Sequence, residues 1–147
     1  MPSYYPPVGF HFKVEFTGID VKQNDHQFQS VSGLSVEMET EEITEGGEWR
    51  FKHSLPVRTK YQNLILKRGL LKDSGIIEWC RNALEGFEIT PVDLVVKLLN
   101  ENHEPLLTWN VVQAWPKKWS VTDFNAEQNS LVIETLELQY QYFTILE

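Results

Sequence analysis

The chain has 147 residues, 41% of them hydrophobic and 12% aromatic; that is enough for one domain with a sizeable core and too apolar for a disordered chain. Thirteen Lys and Arg against 21 Asp and Glu leave a net charge of −8, which argues against a nucleic-acid-binding surface and an anionic membrane partner. The single cysteine excludes an intrachain disulfide, and no apolar run approaches the ~20 residues of a transmembrane helix, so no membrane anchor is expected.

The N-terminus, MPSYYPPVGF, lacks the basic start and apolar core of a signal peptide, so synthesis and folding in the cytoplasm are expected. Residues 1–9 are rich in Tyr and Pro and read as extended. Phe10, Phe12, Val14 and Phe16 then alternate with His11, Lys13 and Glu15, the pattern of a half-buried strand. Thr17 to Gln27 is a polar loop, and Phe28 to Thr40 is a second strand region bent at Gly33. Within it Val36, Met38 and Thr40 share one face, while Glu37, Glu39 and Glu41 share the other. Three like charges repel, so that face must meet water or a cationic partner.

Ile43 to Thr59 is a long charged connection between strands, where hairpin loops are normally short. It reads as a contact arm. Gly46 and Gly47 permit a turn, and Trp49, Arg50, Phe51, Lys52 and His53 alternate aromatic with basic. In so acidic a chain this is read as a ribbon that packs its aromatics and sets its cations against carboxylates, rather than as a platform for single-stranded nucleic acid. Exposed aromatics beside Arg also suit a protein interface.

Tyr61 to Lys67 is the next strand. A helix follows over Gly75 to Leu84, capped by Asp73 or Ser74 and stopped by Gly86. Its expected buried stripe is Ile76, Cys80, Ala83, Leu84 and Phe87, with Ile77 at the margin and Glu78, Arg81 and Glu85 in water. Cys80 on that stripe reads as core rather than as a nucleophile. Val92 to Leu99 and Leu106 to Trp115 form a hairpin around Asn100 to Pro105, followed by a break at Pro116 to Trp119 and a short strand to Phe124.

Ser130 to Phe143 alternates without a breaker and predicts one long strand. Its even face, Val132, Leu136, Leu138, Tyr140 and Tyr142, is apolar except for Glu134. Its odd face changes from Leu131 and Ile133 to the polar Thr135, Glu137, Gln139 and Gln141. Such a strand passes from one burial environment to another, and its long edge invites pairing with a further chain. One helix among about seven strands predicts a single, mainly β domain, a β-sandwich or open barrel.

No catalytic chemistry emerges. His11, His26, His53 and His103 lie at no metal-ligand spacing from one another or from Cys80. There is no nucleophile elbow, P-loop or dinucleotide fingerprint. No enzyme activity, metal or cofactor is expected.

The stretches VGFHFKVEF, FQSVSGLSVEMETEEITEGGEWRFKHSLPVRTKYQNLILKRGLLKDSGIIEWC and LLTWNVVQAWPKKWSVTDFNAEQNSLVIETLELQYQYF resemble the tail tube proteins of contractile phages and phage-tail-like injection systems. The most specific parts are F-x-x-V-S-G-L at Phe28–Leu34, P-x-R-T-K-Y-x-N-L-x-L-K-R-G at Pro56–Gly69, and W-N-V-x-x-A-x-P-x-K-W-S at Trp109–Ser120 followed by Ile133–Leu138. The resemblance favours the extracellular injection-system branch. It implies a structural protomer whose strands close, six copies to a ring, into a β-barrel lumen. Stacked rings would make a tube inside a contractile sheath, with baseplate, hub and tube-terminating partners and with effectors or DNA as cargo. It makes Gly46, Gly47, Trp49, Arg50, Phe51, Lys52, Arg58, Lys60 and Tyr61 the candidate arm between subunits or rings. Glu37, Glu39, Glu41, Glu137, Gln139 and Gln141 become candidate lumen residues. A baseplate-proximal paralogue is the nearest alternative. A β-sandwich binding module with Trp49, Trp109 and Trp115 as its ligand platform, and an acid–base hydrolase, are the alternatives from other classes.

Overall fold

The computed structural model describes residues 11–19, 21, 27–43, 53–71, 74–122 and 132–146. In chain order the elements are β1 (His11–Phe16), β2 (Gln27–Phe28), β3 (Ser30–Ser32), β4 (Val36–Ile43), β5 (His53–Tyr61), β6 (Leu64–Gly69), helix α1 (Gly75–Leu84), β7 (Val92–Leu99), β8 (Pro105–Val121), β9 (Ile133–Gln139) and β10 (Tyr142–Leu146). All strand pairs are antiparallel.

The main sheet runs β2-β1-β7-β8-β9-β6-β3, with β10 also on β8 and β4–β5 standing apart as a two-stranded sheet. Two stretches turn this sheet back on itself. The first half of β8 pairs with β7 and β10, and its second half with β9. In Gln27–Ser32, β2 pairs with β1 while β3 pairs with β6, and the Gln29 N–H donates to the Lys67 carbonyl at 2.9 Å. The sheet therefore returns to the segment it started from, giving an open barrel whose corners are strands that change partners.

Period-two alternation fills the interior. Val14 and Phe16 of β1, Leu94 and Val96 of β7, Leu64 and Leu66 of β6, and Leu136 and Leu138 of β9 all point into one core. Helix α1 covers it with Ile76, Trp79 and Cys80. Ser74 caps the helix by accepting the Ile77 N–H at 3.2 Å; Asp73 lies outside the described residues. Burial pushes the Cys80 thiol up to about 12, with the nearby Glu134 charge adding to the effect, so this side chain is an inert part of the core.

Four expectations change. The helix buries Trp79 in place of Leu84 and Phe87, which are 46% and 84% exposed. Trp79 stacks edge-on against Phe16 and donates its indole N–H to the Thr90 carbonyl at 2.9 Å, so its polar edge is satisfied where it is buried. The left-handed residue after the helix is Phe87 (φ 54), not Gly86. The break expected at Pro116 is a bulge within the continuous β8. There the β7 pairing has already ended at Ala114, so an absent proline N–H leaves no ladder bond unmade on that side. Finally, the long last strand is two strands. The chain bends at Tyr140 and Gln141 and moves from the second half of β8 to the first, which is the change of environment that its odd face records.

The exception on that strand's apolar face has a partner. Register sets Glu134 of β9 directly opposite Arg68 of β6. The Arg68 Nε donates to Glu134 Oε1 at 2.9 Å, with side chains 3% and 1% exposed. Arg68 Nη2 also donates to the Ser74 Oγ at 2.8 Å, and its guanidinium lies 4.9 Å from the Phe28 ring centroid. One side chain thus ties β9, the helix cap and β2 together. Burial pushes the Glu134 carboxyl up, and the Arg68 charge only partly offsets it. The Trp119 indole also favours the charged form, yet neither its Nε1 nor Glu134 Oε2 reaches hydrogen-bonding geometry. Because the folded carboxyl lies above its ordinary value, this group's contribution to stability declines as pH rises through that raised pKa. Glu134→Ala leaves the buried guanidinium uncompensated and is expected to cost roughly 3–5 kcal/mol in urea unfolding, whereas Arg68→Met with Glu134→Leu is expected to be close to neutral.

Candidate self-assembly surface

The register that pairs β3 with β6 continues into β4 and β5 without a slip. Ser30↔Lys67 and Ser32↔Ile65 lead on to Val36↔Tyr61 and Glu39↔Arg58. Between them the Gln62 N–H donates to the Ser35 carbonyl at 3.2 Å. The expected connection between strands is therefore largely a hairpin, one ribbon that begins in the barrel and runs out of it. Tyr61 closes β5 instead of opening the following strand.

Gly33 makes the exit possible. It has φ 89, and a Cβ there would overlap the carbonyl oxygen of Asn63, between β5 and β6. An aromatic cluster clamps the same point. The Tyr61 ring lies 6.0 Å from Tyr140 and 5.1 Å from Phe143, both edge-on. The Tyr140 hydroxyl donates a long hydrogen bond, 3.4 Å, to the Gly33 carbonyl. Burial, and then Tyr61, push the Tyr140 phenol up to about 12. Sequence reasoning marked the bend at Gly33 but not its clamp, because Tyr140 and Phe143 look like ordinary members of one strand until the bend after β9 separates them.

Beyond the clamp the two faces of the ribbon differ. Opposed residues share a face, so Val36, Met38, Thr59 and Tyr61 lie on one side and Glu37, Glu39, Arg58 and Lys60 on the other. Leu34 and Tyr61, flanking the bend, both pack against the core. The Val36/Met38 face thus prolongs the core side of the barrel, with no core residue beneath it among the described residues: Val36 is 46% and Met38 54% exposed. Alternation is interrupted at Gly33 and at residues 62–63, between core-facing Leu64 and core-packed Tyr61, so the charged face is the one turned away from the core. Two of the three glutamates meet cations of their own hairpin, Lys60 opposite Glu37 and Arg58 opposite Glu39, whereas Glu41 stands opposite Leu55. The Arg58 Nε lies 3.1 Å from Glu39 Oε2; so exposed a pair is worth about 0–1 kcal/mol. A bulge after Glu39 leaves Val57 without an opposite residue, 47% exposed, and sets Pro56 opposite Thr40. Among the described residues β4 and β5 pair only with each other.

The structure therefore brings Glu37, Glu39, Glu41, Glu137 and Gln139 onto the polar side of one curved ribbon and sheet. It moves Arg58 and Lys60 there too, away from Tyr61. Gln141 does not share the β9 face; it sits in the bend after the strand, its N–H donating to the Val112 carbonyl at 3.0 Å. Gly46, Gly47, Trp49, Arg50, Phe51 and Lys52 lie outside the described residues. Trp109 packs against the core. Among the described residues no group of three His, Cys, Asp or Glu is placed to hold a metal, and no helix is long and apolar enough to cross a membrane.

An open barrel with a two-stranded extension has close counterparts, and residues 8–144 match the family described as T4-like virus tail tube protein gp19. The chain belongs to that family of tail tube proteins. A chain in the cryo-EM structure of the anti-feeding prophage baseplate, 6-fold symmetrised, is 31% identical, with TM-score 0.84 over 99% of this chain and 97% of that one. A chain of the extracellular contractile injection system PVC sheath–tube complex in the extended state is 24% identical, with TM-score 0.78 over 97% and 93%. Hcp1 from Flavobacterium johnsoniae shares the fold at 15% identity, with TM-score 0.62 over 92% and 94%. No curated protein matches significantly. The protein is a structural tube protomer, and its similarity leans to the injection-system branch. For this tube protein, Gly33→Ala forces a Cβ into both a left-handed backbone and the Asn63 carbonyl. It is expected to cost more than about 1 kcal/mol in chemical denaturation.

Proposed function

We propose that this tube protein acts by assembling with copies of itself into hexameric rings that stack into a hollow tube, and that the β4–β5 hairpin is the arm that joins one copy to another. The observation that carries this is the exposed face bearing Val36 and Met38, a continuation of the core side with no core residue beneath it among the described residues. Covering each of these half-exposed side chains with a neighbour contributes about 1 kcal/mol per copy, and pairing the open edges of the hairpin removes an aggregation hazard. The opposite, charged face then lines the lumen. It is mixed rather than purely acidic, because Lys60 and Arg58 stand opposite Glu37 and Glu39, and Lys118 opposite Glu137. A wall of balanced charge gives a highly charged cargo, effector or nucleic acid, little to bind.

Contractile sheath, baseplate and cap components are the partners this reading implies, by analogy with the named assemblies of the similar chains. The 31% identity to a chain of a baseplate structure favours a layer near the baseplate as the second reading. Immunogold labelling of intact particles separates a label along the whole tube from a label at one end.

Val36→Asp with Met38→Asp tests the arm. Because neither residue belongs to the core, the variant is expected to keep its far-UV circular dichroism and its unfolding midpoint. It is expected to remain a monomer in light scattering where the unmodified protein forms rings or tubes. Tubes of normal appearance from the double variant contradict the assignment. Glu37→Gln, Glu39→Gln and Glu41→Gln together are expected to change cargo loading while leaving assembly intact; failed assembly with unchanged loading reverses the assignment of the two faces.

A further inference from the structure

The start of β1 and the turn between β7 and β8 are brought together by register: His11 stands opposite Leu99, the last residue of β7. The turn that follows is built around Asn100. Its Oδ1 accepts the backbone N–H groups of Asn102 and Glu104, each at 2.9 Å. The Asn100 N–H donates to the Glu104 carbonyl at 2.9 Å, and the His103 N–H donates to the Asn100 carbonyl at 3.0 Å. His103 itself has φ 63, a left-handed conformation uncommon for residues with a Cβ. The turn so held aims the His103 ring at His11. Its Nδ1 lies 2.9 Å from the His11 Nε2, and the ring planes cross at 72° with centroids 4.7 Å apart.

We propose that His11 and His103 form a binding site for a divalent transition metal that prefers imidazole: zinc, nickel or copper. Nitrogens about 2.0–2.1 Å from a shared ion lie about 2.9 Å apart when their bonds meet at a right angle, as in square-planar or octahedral sites, and about 3.4 Å apart at the tetrahedral angle of zinc. The observed separation equals the first value and reaches the second by a small opening of the rings. The same two nitrogens cannot both point lone pairs at each other without repulsion, so the unloaded pair is held by one N–H···N hydrogen bond, and an ion that accepts both lone pairs replaces it. The cations lining the same cavity, Lys13, Lys97 and Arg68, are each engaged with a carboxylate: Lys13 and Lys97 with Glu15 Oε1 at 3.2 and 3.3 Å, Arg68 with Glu134 Oε1 at 2.9 Å. Glu101 and Glu104, exposed in the same turn, add negative charge. Both imidazoles border a cavity of about 1040 Å³, which gives an ion and its remaining water ligands a way in. A bound ion staples the β7–β8 turn to the first residue of β1 and stabilises the folded state by mass action.

The test is titration of the purified full chain with zinc or nickel chloride at pH 7.5, followed by calorimetry and thermal melting. One saturable event per chain and a rise in melting temperature are expected. His103→Asn keeps a residue that tolerates the left-handed turn but removes the imidazole; it and His11→Thr are each expected to weaken binding at least about tenfold. His26→Ala with His53→Ala is expected to leave binding unchanged. Absence of saturable binding up to millimolar metal overturns the site, as does binding that survives His103→Asn. Neither outcome bears on whether the chain builds tubes, which microscopy reads separately.

Discussion

The register that joins β3 to β6 does not stop where the core stops. It runs on through β4 and β5, which among the described residues pair only with each other, and an isolated two-stranded ribbon is marginal in water. Everything near its base serves to hold it at a fixed exit. Gly33 permits the close approach to Asn63, and Tyr61, Tyr140 and Phe143 pack edge-on around it. The bend at Tyr140–Gln141 sends the chain onto the other half of β8, so that among the described residues the last strand does not pair with β5.

The barrel's polar tie is the Arg68–Glu134 pair, which links β6, β9, the helix cap and β2 in a single buried network. Burial holds the Glu134 carboxyl above its ordinary value despite the Arg68 charge, and a buried pair of this kind is weak evidence for net stability. What it does supply is registration: an arginine buried between two strands and a helix cap has one satisfactory position, and a slip of β9 by one residue turns Glu134 to the outer face.

Much of this was legible in the sequence because alternation reports burial directly. The strands β1, β6, β7 and β9, the helix and its Ser74 cap, and the opposed faces of β4 all follow from period and capping residues. Less legible was anything set by pairing across the sheet. Glu134 stood out as a charge on an apolar face, but only register identifies Arg68 as its partner. That Arg58 and Lys60 stand opposite Glu39 and Glu37 follows only from cross-strand register. Phe87 and Leu84 fit the helical stripe, yet the stripe is completed by Trp79, whose indole finds a carbonyl acceptor at Thr90. Pro116 looks like a break because a sequence does not reveal that β8 has already lost one neighbour there.

Assembly through the hairpin is most directly tested by imaging the protein in its assembled form at a resolution that traces side chains. The account predicts rings in which Val36 and Met38 of each copy are covered by a neighbouring copy, while Glu37, Glu39, Arg58 and Lys60 face the lumen. Rings in which the Val36/Met38 face remains in solvent, or in which the charged face is buried between copies, contradict it.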